Sequence, residues 1–280
     1  MTRIDLTQVD KKEIVAVLNA SFADYIVPLQ LTVEQLEFKI AAENIQLDLS
    51  VGLVEDDQLV GFMLHAINTV DGKLTAYNAA TGVIPSHRGQ GLVGKMYEWL
   101  LQHLQPLNVE QLVLEVIENN HAAIRAYEKM EYHIARKLAC FEGEAVTAKR
   151  EPSFEFKALT DFNWPVFCSF WEIQPAWQYT VSALEKSKNR CCTLGAYDQE
   201  QLVGYIIFNP TTKRILQLAV AETHRRRGIA THFIQMMKER TASNEVYVYN
   251  VDETSVATTA FFQQLNLKSE LAQYEMKRVF

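Results

Sequence analysis

Apolar residues recur along this chain with two periods, and each change of period marks a change of element. From Asp10 the period is helical: Ile14, Val17 and Leu18 share one face, and Asp10 stands where an N-cap is needed for a helix through Ser21. Leu36, Ile40 and Ala41 form a second helical stripe that stops at Asn44. Val51 and Leu53, then Leu59, Gly61 and Met63, predict two strands joined by a hairpin-like turn at 55–58. An extended run over 73–83 gives way to clustered glycines and then to Leu92, Met96, Trp99, Leu100 and Leu104 at helical spacing. Residues 110–117 alternate as a strand, and Asn120 opens a helix carrying Ala123, Ile124, Tyr127 and Met130. With a short strand near Ile4 and a loop over 22–28, the predicted order is βααβββαβαβ.

That order then recurs. Helices are predicted near 161–170 and 180–186, a hairpin at 198–201, and an extended run over 215–220. A helix with Ile229, Phe233, Met236 and Met237 on one side follows, and a strand over 246–251. Gln58-Leu59-Val60-Gly61-Phe62 returns as Gln201-Leu202-Val203-Gly204-Tyr205, and the loops at Arg88 and Arg225 lie 137 residues apart. Such a spacing describes two copies of one domain rather than a solenoid of short units. Residues 143–152 are polar, lack a period and end in Pro152, so the expected division is a first domain at 1–142, a linker at 143–152 and a second domain at 153–280.

With 280 residues and 48% hydrophobic composition, two ordinary cores are within reach. The net charge of −7 argues against a nucleic-acid partner, leaving Arg225-Arg226-Arg227 as a local patch on an acidic protein. Cys140, Cys168, Cys191 and Cys192 have neither a disulfide-framework nor a zinc-ligand spacing and read as core thiols, so no metal is expected. The N-terminus has no apolar signal region and no run approaches the ~18 apolar residues of a membrane span. A cytoplasmic protein without a membrane partner is the expectation, with monomer and homodimer both open.

The stretch from Val83 to Gly94 carries the first candidate chemistry. Strand, glycine loop and helix together make an anion site, because the first amides of a helix lack intrahelical partners and sit at the positive end of its dipole. Gly89 and Gly91 let the backbone approach a phosphate closely. The spacing is neither a P-loop nor a dinucleotide fingerprint, and a plain connection is the competing reading. The loop resembles the acetyl-CoA loop of the GNAT superfamily of acyltransferases, Q/R-x-x-G-x-G/A. Arg88 and Gly91 match, with Val93 where Gly or Ala is usual; Arg225, Gly228 and Ala230 match at every position. The resemblance implies an α/β (α+β) protein of two tandem GNAT-like domains, each a mixed, mostly antiparallel sheet flanked by helices. It implies acetyl-CoA as the cofactor, held by Val83, Arg88, Gly89, Gln90, Gly91, Leu92 and Val93. Val220, Arg225, Arg226, Gly228 and Ala230 are the possible counterparts in the second domain.

Acyl transfer to an amine needs a route to deprotonate the ammonium, hydrogen bonds to the developing oxyanion and an acid for the departing thiolate. Asn120, Ala123 and Tyr127 are in register with the GNAT pattern N-x-x-A-x-x-x-Y-x-x-x-G-F, although Glu131-Tyr132 replaces the final Gly-Phe. By that resemblance Tyr127 is the general acid, Glu115 a candidate base, and Asn120 and Ala123 cofactor contacts. A packed aromatic, a solvated strand residue and a helix cap are the alternatives for Tyr127, Glu115 and Asn120 respectively. In the second half the same intervals place Phe262, Asn250 and Ser255 at the tyrosine, glutamate and asparagine positions, so the proton donor is missing. The first domain is expected to catalyse, and the second to be degenerate or to shape a pocket. Tyr25, Trp177 and Gln178 are candidates for the walls of an acceptor pocket, and junction packing explains them equally well. The expected acceptor is a small-molecule or peptide amine. A non-catalytic acyl-CoA sensor or scaffold and an acyl-CoA hydrolase are the alternatives.

Overall fold

The computed structural model describes residues 1–148 and 152–280, and the chain forms two compact units that are not contiguous in sequence. The first unit holds residues 1–135 and 274–280, and the second holds 136–273.

In the first unit the order is β1 (Thr2–Asp5), α1 (Lys11–Phe22), α2 (Val33–Glu43), β2 (Val51–Glu55), β3 (Gln58–Val70) and β4 (Lys73–Val83). Then come α3 (Leu92–Leu104), β5 (Gln111–Ile117) and α4 (His121–Lys129). The helix boundaries follow from local chemistry. Asp10 caps α1 through Lys12 N, Thr32 and Gln35 form a capping box on α2, and Asn44 ends α2 in the left-handed conformation. Strands β1 to β4 pair antiparallel in sequence order, β4 pairs with β5 in parallel, and α3 buries Met96 and Leu100 against Met63, Ala76 and Leu112.

The second unit repeats the plan with β6 (His133–Glu144), β7 (Glu155–Ala158), α5 (Trp164–Cys168), α6 (Val181–Ser187), β8 (Cys192–Asp198), β9 (Gln201–Asn209) and β10 (Arg214–Val220). It continues with α7 (Ile229–Thr241), β11 (Glu245–Asp252), α8 (Val256–Gln264) and β12 (Lys268–Val279). Its core gathers Ile206, Phe233, Ile234, Val246 and Phe262.

The expected boundary at 142 differs from this division. Residues 136–144 of β6 belong to the second unit, where they pair antiparallel with β11, and the last residues of β12 belong to the first, where Phe280 N donates to Glu110 O. The stretch expected as a linker thus begins inside a strand, and 149–151 of it lie outside the described residues.

One irregularity occurs twice and shapes the site. Along β3 and β4 the register runs Gly61↔Val83, Met63↔Thr81 and Leu64↔Ala80, then shifts to His65↔Asn78, leaving Ala79 as a bulge. Along β9 and β10 it runs Gly204↔Val220, Ile206↔Leu218 and Ile207↔Gln217, then shifts to Phe208↔Ile215, leaving Leu216 as the bulge. The parallel ladders stop beside these bulges, at Asn78↔Leu114 in the first unit and Ile215↔Val248 in the second. Beyond that point the two central strands of each unit have no ladder between them, so a cleft opens at their C-terminal ends.

Candidate active site

Each cleft is closed at one side by its glycine loop. Gly91 (φ 69°) and Gly228 (φ 89°) are the left-handed N-caps of α3 and α7, and neither helix has a side-chain cap, whereas α1, α2 and α4 do. The first amides of α3 and α7 are thus left to an external acceptor. A Cβ built on Gly91 meets nothing within 4 Å, so glycine is demanded there by the positive φ and not by packing. This arrangement fits a pyrophosphate, with Leu92 and Val93 supplying amides and Gly89 (φ 77°) and Gln90 exposed beside them.

Arg88 does not face that gap. Its Nε donates to Val83 O (3.1 Å), Nη2 to Ser21 O (3.0 Å), and Nη1 and Nη2 grip Asp24 at 2.7 and 2.8 Å. The fork strings together the end of β4 and the end of α1, and it occupies the Val83 carbonyl. Arg225 repeats this with Val220 O (3.0 Å), Phe170 O (3.4 Å) and the Glu172 carboxylate. The side chains expected at the phosphates are therefore anchors of the loop. Histidines repeat too: His87 Nε2 meets Glu55 (3.0 Å) while its Nδ1 meets Ser86, and His224 meets Asp198 (3.3 Å) and Thr223.

Inside the first cleft, Tyr127 reaches from α4 toward Thr81 and Asn78 on β4. Burial pushes its phenol up to about 12, and hydrogen bonds with Thr81 and Asn78 oppose that rise. Thr81 and Asn78 bond each other, Asn78 Nδ2 donating to Thr81 Oγ1 (2.8 Å) and Thr81 Oγ1 to Asn78 Oδ1 (3.0 Å). Asn120 is the N-cap of α4, accepting from Ala123 N (3.1 Å), and its Nδ2 donates to Tyr25 Oη (3.1 Å). Asn120 is thus both the cap of α4 and a partner of Tyr25. Tyr25 is brought beside Asn120 and Tyr127, and lies on the loop that Arg88 holds through Asp24. Glu115 stands one residue past the end of the ladder, where Tyr77 Oη donates to its Oε2 (3.2 Å). Tyr77 is buried, and burial together with the charges of Glu115 and Glu43 pushes its phenol up. His65, across from Asn78 on β3, is 1% exposed; burial holds its imidazole down to about 3, and neither ring nitrogen has a hydrogen bond of good geometry.

The second cleft has the same frame with other contents. Register places Ile215, Leu218 and Phe208 where the first unit has Asn78, Thr81 and His65, and Phe262 stands where it has Tyr127. Ser255 caps α8 as Asn120 caps α4, accepting from Thr258 N. Tyr249, not Asn250, takes the register of Glu115: β11 carries a bulge with Asn250 at φ 60°, and Arg214 lies over the Tyr249 ring at 4.2 Å. A cavity of about 240 Å³ fills this cleft, running from Arg226 and Ala230 at the loop to Trp171 and Tyr179 on the far side. At its floor Trp171 Nε1 donates to Tyr205 Oη (2.7 Å), Tyr205 Oη to Gln217 Oε1 (2.7 Å), and Gln217 Nε2 to Tyr179 O (2.7 Å). Trp177 and Gln178, expected on this wall, are not on it. Trp177 is turned into the core, Gln178 Oε1 accepts from Asn250 Nδ2 (3.3 Å), and Tyr179 from the same turn takes the wall position.

Asn78, Thr81, His65 and Tyr205 carry no functional expectation from the sequence. The signal for the first two was present: polar residues interrupt an otherwise apolar central strand.

The Acetyltransferase (GNAT) family pattern matches residues 15–132 and again 156–266. No curated protein matches the sequence. Among solved structures, a tandem GNAT protein from the clavulanic acid biosynthesis pathway is similar at TM-score 0.72 and 14% identity, over 99% of this chain and 98% of its own. A GCN5-related N-acetyltransferase from Sphaerobacter thermophilus is similar at 0.69 and 16%, over 99% and 95%. A putative acetyltransferase from Pyrococcus horikoshii is similar at 0.69 and 13%, over 100% and 89%. At these identities the likeness concerns the fold. Among the described residues no helix is long and apolar enough to cross a membrane, and no group of three or more His, Cys, Asp or Glu could hold a metal ion.

Proposed function

The chain belongs to the GNAT acetyltransferase family, and from that premise we propose that its first unit transfers an acetyl group from acetyl-CoA to a primary amine of a small molecule or peptide. The observation that carries this is the set Tyr127, Thr81 and Asn78, gathered where β4 and β5 part and replaced throughout by apolar residues in the second unit.

Acetyl-CoA supplies an activated thioester; the chain's own residues supply position and protons. The amides at the start of α3, with Gly91 open in front of them, receive the pyrophosphate. Tyr127 carries its proton at any physiological pH, since burial pushes its phenol up to about 12. A thiolate formed in the same buried place is desolvated in the same way, so its proton affinity rises in parallel and the donor remains matched to it. Thr81 and Asn78 hold the phenol oxygen in one direction. Glu115, at the mouth of the strand separation, is the acceptor for the proton of the incoming ammonium, and Tyr77 fixes its Oε2. Glu43, also near Tyr77, is paired with Lys39 (2.6 Å), so the carboxylate that meets an incoming ammonium on that side is Glu115.

Calorimetric titration of acetyl-CoA into wild type, Gly91→Glu and Gly228→Glu proteins tests this reading. A side chain at Gly91 stands in open space before the α3 amides and places a negative charge there. One tight acetyl-CoA site, lost in Gly91→Glu with the circular dichroism spectrum kept, is the expected result. Binding lost only in Gly228→Glu would move the cofactor to the second unit and overturn the assignment.

A further inference from the structure

The second cleft has kept the frame of a thioester site and lost its polar interior. We propose that it binds a coenzyme A thioester whose acyl group is an apolar chain longer than acetyl, and holds it without transferring it. The proposal rests on the family reading above for the coenzyme A part, and on the second unit's own residues for the acyl part.

The frame comes first. Arg225 anchors the loop as Arg88 does, α7 begins at a left-handed glycine with no side-chain cap, and Ser255 caps α8. At the mouth, Arg226 stands where the first unit has Gly89. It adopts φ 62°, is exposed, lines the cavity, and among the described residues has no hydrogen bond or ion pair. A left-handed arginine costs more than a glycine there. What it adds is a guanidinium at the position where the loop amides meet an anion.

The interior comes second. Phe262, Leu218, Ile215 and Phe208 replace the tyrosine, threonine, asparagine and histidine of the first unit, so no proton donor faces the leaving sulfur. The other charged wall groups are neutralised: Arg225 pairs with Glu172, which Ser255 also approaches, and His224 pairs with Asp198. The polar atoms of the floor are spent on one another along Trp171, Tyr205, Gln217 and the Tyr179 carbonyl. The volume of about 240 Å³ is several times the ~30 Å³ share of one water. Space of that size, with apolar walls and internally satisfied polar atoms, favours methylenes over an ammonium or a sugar.

The test uses the whole chain with hexanoyl-CoA, acetyl-CoA, CoA and free hexanoate as probes, titrated into Gly91→Glu protein so that the first cleft is silent. Each buried methylene strengthens binding by about fourfold, so hexanoyl-CoA, with four more carbons than acetyl-CoA, should bind this protein at least about tenfold more tightly than acetyl-CoA or CoA. Leu218→Thr with Phe262→Tyr, which restores first-unit residues, should shrink that preference to within about threefold. Arg226→Ala should weaken CoA and both thioesters alike. No thiol should be released from hexanoyl-CoA with any amine. Should Gly91→Glu fail to fold, wild type should show two sites for hexanoyl-CoA where acetyl-CoA shows one. Equal affinity for the three CoA species, no binding, binding of hexanoate as tight as of its thioester, or amine-dependent thiol release would each overturn the proposal. Acetyl-CoA bound by Gly91→Glu protein as tightly as by wild type would instead count against the first-unit assignment, so the two failures are told apart.

Discussion

His65 and Glu115 show how far single residues depart from their neighbours in this fold. His65 is neutral because burial holds its imidazole down to about 3, while an unfolded histidine titrates near 6.5. Between those two values the unfolded chain binds a proton that the folded chain does not, so stability is lost as pH falls through that window. The loss is about 1.4 kcal/mol per pH unit, or roughly 2 kcal/mol by pH 5. His65→Phe, which copies Phe208 at the same register in the second unit, should remove that slope. Urea unfolding midpoints at pH 7 and pH 5 check this: wild type should lose more stability than the variant, and equal losses would show that His65 is not the group titrating. Glu115→Gln keeps the shape and the Tyr77 contact but cannot take a proton. If Glu115 is the base, amine-dependent turnover should fall by ~10²–10³ and recover partly at higher pH, where more of the amine is already neutral. An unchanged rate and pH profile would assign proton removal to water.

At the scale of elements, a bulge and an arginine set the cleft. The bulges at Ala79 and Leu216 stop the parallel ladders at equivalent places, and the Arg88 and Arg225 forks then fasten each glycine loop to the helix end opposite. Arg88→Ala frees the loop without touching Tyr127 or Glu115, so acetyl-CoA should bind roughly tenfold or more weakly, with the pH profile of turnover unmoved. Arg88→Lys should not rescue it, since one ammonium cannot serve two carbonyls and a carboxylate with fork geometry. Titration of acetyl-CoA into the three proteins reads this directly, and full affinity in Arg88→Lys would argue against the fork. Much of this level was legible from sequence because its signals are local. Asp10, Asn44 and Asn120 mark helix ends through their own backbone bonds, and the Arg-x-x-Gly spacing marks both loops. The direction of the Arg88 side chain was not legible, because a spacing match is the same whether the guanidinium meets a phosphate or Ser21 O. Nor was the bulge at Asn250, which shifts the partner of Glu115 to Tyr249 and depends on pairing with β6 about 110 residues earlier in the chain.

At the scale of the molecule, the two units share a frame and differ in what fills it. The intervals in the sequence place Phe262, Asn250 and Ser255 at the tyrosine, glutamate and asparagine positions; register adds that four polar positions of the first cleft are apolar together in the second, a change of chemistry rather than the loss of one group. The residues that complete each unit were out of reach for the same reason as the bulge. Residues 136–144 and 274–280 fold with units other than those their places in the sequence suggest, and strand pairing at such separations leaves no local mark. The central claim is that chemistry belongs to the first unit through Tyr127, and thiol release from acetyl-CoA over a panel of primary amines measures it most directly. Wild type should release thiol in an amine-dependent way, and Tyr127→Phe, which removes one oxygen from a packed ring, should bind acetyl-CoA as before and turn over ~10²–10⁴-fold more slowly. Undiminished turnover in Tyr127→Phe would contradict the account.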